Sequence, residues 1–202
     1  MSAVVIVETG LANIASVEAA FRRLGRSPLR SRDPEQILSA ERVVLPGVGA
    51  FGAAMPTLRS TGLGESLQER IQRDRPTLAI CLGFQLLAQA SEEAEGIAGL
   101  GCISGKVVRL PANQAVPQLG WNHVHAPEHS RFVESGHAYF ANSYCLREAP
   151  EGWTSFTTNY GVSMIAAIER GAVLGCQFHP ELSGTWGANL LERWLNQERS
   201  AC

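Results

Sequence analysis

The alternation of apolar and polar positions along this chain changes character at its midpoint. In the first half, short apolar runs at residues 3–8, 42–45 and 77–80 are too short for helices and rich in β-branched residues, which predicts buried strands. A weaker strand is expected near Leu29. Between these runs, residues 13–24 carry apolar side chains at helical spacing, with Asn13 as the N-cap and Gly25 as the stop signal. Residues 63–73 read as a polar helix, and residues 82–89 as a helix entered directly from the 77–80 strand. Strands alternating with helices predict a parallel sheet covered on both faces. In the second half, strand patterns dominate, near residues 106–110, 138–143, 154–158, 164–169 and 173–178. A helix over residues 184–197 closes the chain, with Leu190, Leu191, Trp194 and Leu195 on one side. The expected fold is α/β: a single domain over residues 1–202 with a central, mostly parallel open sheet, helices on both faces, and added antiparallel strands in the second half.

Composition narrows the setting. A chain of 202 residues is long enough for one sizeable core. With 45% hydrophobic and 18% charged residues it is an ordinary globular sequence rather than a disordered one. A net charge of -2 gives no footprint for nucleic acid. Arginine far outnumbers lysine, Lys106 being the single lysine, a bias without functional content. The cysteines (Cys81, Cys102, Cys145, Cys176, Cys202) are odd in number and irregularly spaced, which argues against a disulfide framework and for a reducing compartment. The apolar run at residues 3–7 is too short for a signal peptide or a membrane span, so a cytoplasmic protein without membrane attachment is expected. Cys202 stands at the final position and is not a prenylation box.

The candidate chemistry lies at strand ends, where open parallel sheets collect it. Cys81 heads the motif Cys-Leu-Gly-Phe-Gln between the 77–80 strand and the helix after it. A cysteine on such a turn presents its sulfur at a helix N-terminus, which favours the thiolate. Far downstream, His179-Pro180-Glu181 follows another apolar run, and residues two apart on a strand share a face. Nucleophile, base and orienting acid are thus all available. An inert buried cysteine beside an unrelated His-Pro-Glu turn is the alternative, weakened by both motifs ending apolar strands. Glu8-Thr9-Gly10 and Pro46 to Gly52 sit at two further strand ends. The loop Gly47-Val48-Gly49-Ala50-Phe51-Gly52 matches a dinucleotide-binding pattern, yet the strand that follows ends in Cys81 rather than a ribose-binding acid. No cofactor is therefore expected. The loop reads either as an oxyanion hole of backbone N–H groups or as a plain glycine turn. His123, His125, Glu128 and His129 have metal-like spacing, but Pro127 interrupts them and they read as exposed loop histidines; His137 reads as structural, and no metal is expected.

Cys-Leu-Gly-Phe-Gln together with Phe-His-Pro-Glu resembles the class I, triad-type glutamine amidotransferases, whose fold is flavodoxin-like. Within them, Leu45 to Gly52, Leu119-Gly120-Trp121-Asn122, Asn142-Ser143-Tyr144 and Thr158-Asn159-Tyr160-Gly161 are similar to the glutaminase subunits of imidazole glycerol phosphate synthases. The similarity runs from Val4 to about Leu195. The resemblance implies glutamine as substrate, a glutamyl thioester on Cys81, His179 as acid and base, and Glu181 as its orienting carboxylate. It implies oxyanion donors at Val48, Gly49 and Leu82, and glutamine contacts at Gly47, Gln85, Ser143 and Tyr144, each of which packing or turn geometry would also explain. It implies a separate (β/α)8-barrel cyclase subunit as partner, which consumes the ammonia in histidine biosynthesis, with Asn13, Trp121, Asn122 and Tyr139 near the interface and ammonia path. Ordinary core packing is the alternative for Trp121.

Four positions depart from the family pattern. Ala79 replaces a glycine, and the turn is expected to survive. Glu8 replaces an aspartate and Asn142 a histidine. Leu182 replaces a cation, which implies either an interface tuned differently or a partner other than the histidine-pathway cyclase. A stand-alone thiol hydrolase, a non-catalytic module of the same fold and an amidotransferase feeding another synthase are the competing readings.

Overall fold

The computed structural model describes residues 4–10 and 14–197. In chain order the first half comprises β1 (Val4–Val7), α1 (Ile14–Arg23), β2 (Leu29–Ser31), α2 (Pro34–Ser39), β3 (Arg42–Leu45), α3 (Phe51–Ser60), α4 (Leu63–Gln72), β4 (Thr77–Ile80) and α5 (Leu82–Leu86). The second half comprises β5 (Ala90–Ser91), β6 (Lys106–Arg109), β7 (Gln118–Val124), β8 (Gly136–Asn142), β9 (Tyr144–Leu146), β10 (Thr154–Asn159), β11 (Ser163–Arg170), β12 (Val173–Cys176), a 3-10 turn at Pro180–Leu182 and α6 (Gly184–Asn196). The main sheet has the order β10-β11-β12-β4-β3-β1-β2. Its strands from β12 to β2 are mutually parallel, whereas β11 runs antiparallel to both of its neighbours, β10 and β12. The hairpin β7-β8 and the small sheet β5-β6-β9 stand beside it.

Strands β1, β3 and β4, buried along their whole length, build this arrangement because alternate residues enter opposite cores. Val4, Ile6, Val44, Leu78 and Ile80 pack on one face with Phe21 of α1 and Leu190, Leu191, Trp194 and Leu195 of α6. Val5, Val7, Val43, Leu45 and Ala79 pack on the other with α2, α3, α4 and α5. The α6 face read from the sequence is therefore the buried one, and Trp194 meets Phe21 edge-on at 6.3 Å between ring centroids. Each fully buried side chain of this size contributes about 1.5–3 kcal/mol. Because β1, β3, β4 and β12 are parallel, the segments following them emerge at one edge of the sheet. That edge carries the candidate site.

Several elements differ from the sequence expectation. The helix expected over residues 82–89 ends at Leu86. A crossing segment takes the carbonyls that a longer helix would need: Leu100 N–H donates to Leu86, Ile103 to Leu87 and Gly101 to Ala88. Two helices were not expected. In α2, Pro34 occupies the first turn and the Asp33 side chain accepts the Glu35 N–H. In α3, the first residues are Phe51 and Gly52, read from the sequence as loop, and Glu93 Oε2 accepts the Phe51 N–H at 2.8 Å. His123 lies on β7, directly across from His137 on β8, and not on an exposed loop. His179 and Glu181 are not on a strand. The strand ends at Cys176, and Pro180 carries the chain into a 3-10 turn. The Asn13 cap and Cys202 lie outside the described residues.

Candidate active site

Cys81 occupies a sharp elbow between β4 and α5, with φ 53° and ψ -111°. A non-glycine residue with positive φ is strained and persists only where its surroundings fix it. Here the Cys81 N–H donates to the Cys176 carbonyl at 2.7 Å, and the Cys81 carbonyl accepts from Gln85 at 3.1 Å. Gly83 lets α5 begin against β3, since a Cβ there would lie 2.1 Å from the Leu45 carbonyl oxygen. Ala79 is fully buried in β4, and the turn forms despite the missing glycine. This is the strand-to-helix geometry of a nucleophile elbow.

His179 faces this elbow from the segment after β12. Its N–H donates to the Tyr139 carbonyl at 2.9 Å, and the Ser183 hydroxyl donates to its carbonyl at 2.6 Å. Its Nδ1 lies 2.8 Å from Glu181 Oε1. The 3-10 turn, rather than strand alternation, brings the carboxylate back onto the ring. Burial by itself lowers the His179 pKa, but hydrogen bonds and charge from the Cys81 sulfur and the Glu181 carboxylate outweigh it and push it up to about 10. Both partners favour the charged imidazolium.

Cys81, His179, Val48, Gly49, Leu82, Gln85, Ser143 and Tyr144 line one cavity of about 210 Å³. A second cavity of about 270 Å³ shares Val48, Ala141 and His179 with the first. Gly47, Tyr139, Glu181 and Leu182 line it. Gly47 has no room for a side chain, because a Cβ would meet Gly83 N at 2.5 Å. Trp121 is exposed and touches Tyr139 edge-on, with ring centroids 6.2 Å apart. Asn122 lies outside both cavities, its Nδ2 donating to the Asn159 carbonyl at 2.8 Å. Asn13 lies outside the described residues. Glu8 pairs with Arg32 at 3.1 Å and lines neither cavity. Asn142 keeps a polar role, its Nδ2 donating to the Tyr144 carbonyl at 3.0 Å.

Sequence reasoning missed Glu93, whose carboxylate is the one acidic side chain on the first cavity wall. Its only signal is an acid in a turn-rich segment. It missed Gln177 as well, which is fully buried and whose Nε2 lies 3.8 Å from Cys81 Sγ. The three histidines His123, His125 and His137 cluster on the hairpin, with centroid separations from His123 of 4.4 and 5.0 Å. Desolvation and the neighbouring imidazoles hold His123 below its ordinary pKa. No group of three or more His, Cys, Asp or Glu side chains among the described residues is arranged to hold a metal ion.

An elbow cysteine, a carboxylate-backed histidine and this sheet order are the parts of a thiol amidohydrolase. Residues 5–197 match the class-I glutamine amidotransferase family, and the chain belongs to that family. Its relatives include imidazole glycerol phosphate synthase subunit HisH of Lactococcus lactis, 37% identical over 201 residues, covering 98% of this chain and all of that one. The imidazole glycerol phosphate synthase hisHF of Arabidopsis thaliana is 42% identical across 99% of this chain, which spans only 35% of that longer protein. A crystal structure of a glutamine amidotransferase superposes with a TM-score of 0.76 at 21% identity, over 95% of this chain and 96% of its own.

Proposed function

We propose that this chain is the glutaminase subunit of an imidazole glycerol phosphate synthase. The observation that carries the reading is the Cys81 elbow facing a His179 ring held at 2.8 Å by Glu181, on the wall of a cavity of about 210 Å³. The Cys81 sulfur attacks the side-chain amide carbon of glutamine. His179, which has taken the thiol proton, passes it to the departing ammonia, leaving a glutamyl thioester. Water then adds with His179 as base, and glutamate leaves as the thiol is restored. Glu181 keeps the imidazole oriented and stabilises its charge. Glu93 suits the substrate's α-ammonium group, with Gln85, Ser143 and Tyr144 lining the same pocket.

The oxyanion donors need a rearrangement. Leu82 N–H donates to the Gly47 carbonyl at 3.3 Å, so the loop expected to supply donors at Val48 and Gly49 occupies the third donor instead. Gly49 has φ 106°, a conformation other residues resist. Withdrawal of the Gly47 carbonyl frees Leu82 for the transition state. A partner favouring that state by about 1.4 kcal/mol changes the rate tenfold.

The partner in this reading is a (β/α)8-barrel cyclase, which joins the ammonia to a ribotide on the route to histidine. Full-length similarity to HisH subunits supports it, as does the length of the Arabidopsis relative beyond the region this chain matches. An exposed apolar rim of Leu119, Trp121, Leu182 and Val48 near the second cavity is a suitable docking surface. Leu182 makes that rim apolar where the family pattern has a cation. No helix among the described residues is long and apolar enough to cross a membrane. The free thiols of Cys81, Cys102, Cys145 and Cys176 suit the reducing cytoplasm. Steady-state glutamine hydrolysis by the chain, with and without the cyclase and its ribotide, tests the proposal. Strong activation supports it, and full activity of the chain alone refutes the coupling and favours a stand-alone hydrolase.

A further inference from the structure

The Cys81 sulfur has a neighbour that the triad does not account for. Gln177 is fully buried two residues before His179, its backbone N–H fixed on the Ala166 carbonyl at 2.8 Å. Its side-chain Oε1 accepts from Gln85 Nε2 at 2.9 Å, and its Nε2 reaches Cys81 Sγ at 3.8 Å. Gln85 Nε2 also donates to the Tyr144 carbonyl, at 2.9 Å. The direction of this chain of bonds is dictated from its far end. A backbone carbonyl can only accept, so Gln85 must turn its amide nitrogen toward Tyr144. That nitrogen then faces Gln177, which must present its oxygen. The remaining end of the Gln177 amide, the N–H donor, is left facing the sulfur.

We propose that Gln177 is a positioning residue that stabilises the Cys81 thiolate by donating its side-chain N–H to Sγ, its orientation set through Gln85 by the Tyr144 carbonyl. The inference rests on Cys81 being the nucleophile. Besides His179, which hydrogen-bonds the sulfur, Gln177 and the Ala141 carbonyl are its polar neighbours, and the carbonyl works the opposite way. The Ala141 carbonyl, 3.8 Å from Sγ, accepts from a thiol and repels a thiolate. The ionisable groups around the sulfur are His179, backed by Glu181, together with Glu93 and Tyr144 on the same cavity wall. Gln177 adds a neutral donor that neither exchanges its proton nor enters the cavity, so it holds the sulfur while His179 moves protons. It also explains why Gln85 has little left for substrate: its Nε2 is committed to protein acceptors, and its Oε1 is the end available to a ligand.

The test is the pH profile of Cys81 alkylation by iodoacetamide, read at Cys81 by peptide mass spectrometry, alongside glutamine hydrolysis with the cyclase present. Gln177→Glu keeps the shape but places an oxygen toward the sulfur, and Gln177→Leu removes the donor. Both should raise the alkylation midpoint by about one pH unit or more and lower kcat at neutral pH about tenfold or more, with KM within about twofold. In the wild-type chain, which needs no variant to fold, the Gln177 side-chain amide NMR signals should shift at the midpoint of Cys81 ionisation and lose that step in Cys81→Ala. Unchanged alkylation midpoints in folded variants, or amide signals indifferent to Cys81 ionisation, overturn the proposal. If the alkylation shift appears but no form hydrolyses glutamine, the contact stands and the glutaminase reading falls. If hydrolysis is robust but the midpoints coincide, only the role of Gln177 falls.

Discussion

Nδ1 of His179 and Oε1 of Glu181 lie 2.8 Å apart across a single proline, joined by a 3-10 turn rather than by a shared strand face. Both side chains are almost wholly buried, so neither solvent nor salt screens the pair effectively. Glu181→Gln keeps the shape and removes the charge. It should lower glutamine turnover less than His179→Ala does, because the carboxylate orients and stabilises without bonding to substrate. Parallel steady-state assays with the cyclase present compare the two variants.

The same pair makes stability depend on pH. The folded His179 pKa stands at about 10, above the ordinary value of 6.5. A raised pKa contributes stability that is complete below about 6.5 and is lost as pH rises through about 10. Urea unfolding across that window should show stability falling with pH. Glu181→Gln removes one of the groups holding the proton, so its loss should begin at lower pH.

Cys81 is strained by its φ of 53°, and the strain can be separated from the chemistry. Cys81→Ala and Cys81→Gly should both abolish glutamine hydrolysis and retain the fold. The glycine variant should nonetheless be the more stable of the two by about 1 kcal/mol, since glycine accepts positive φ without steric cost. Thermal or denaturant melts of the two variants read the difference directly.

Much of this was legible from the chain because apolar runs mark buried parallel strands. β3 and β4 occupy the residues expected of them, and the two candidate motifs follow their strands into one site. The pairing of His179 with Glu181 was legible by residue type but not by geometry, because Pro180 redirects the chain. Helix α3 was hidden by Gly52 in its first turn and Pro56 in its interior, both poor helix residues whose cost tertiary packing of Phe51, Met55 and Leu58 offsets. Strand β7 was hidden by Gly120, Asn122 and His123, which blur its alternation. Glu93 and Gln177 carry no local pattern. Their partners lie 42 and 96 residues away in the chain, and only the folded sheet edge brings them together.

Gly83 tests whether the elbow depends on close packing of α5 against β3. A methyl group there would sit 2.1 Å from the Leu45 carbonyl oxygen, which is backbone and cannot rotate aside. Gly83→Ala should destabilise the protein by about 1–3 kcal/mol and displace the sulfur. Denaturant melts and hydrolysis assays should show losses in both, with activity reduced even where the protein is fully folded.

Trp121 is 56% exposed and braced edge-on by Tyr139, an arrangement suited to an interface anchor. Trp121→Ala should weaken cyclase binding by about 2 kcal/mol, roughly thirtyfold in Kd, without altering the circular dichroism of the isolated chain. Calorimetric titration with the cyclase measures this.

In the proposed mechanism Cys81 carries a glutamyl group during turnover. Acid-quenched intact-protein mass spectrometry, taken while the chain hydrolyses glutamine in the presence of the cyclase and its ribotide, tests it most directly. A population heavier by one glutamyl group is expected, mapped to Cys81, absent from Cys81→Ala and discharged once glutamine is exhausted. Glutamine hydrolysis by Cys81→Ala at the wild-type rate, or a glutamyl adduct mapped to another residue, would contradict it.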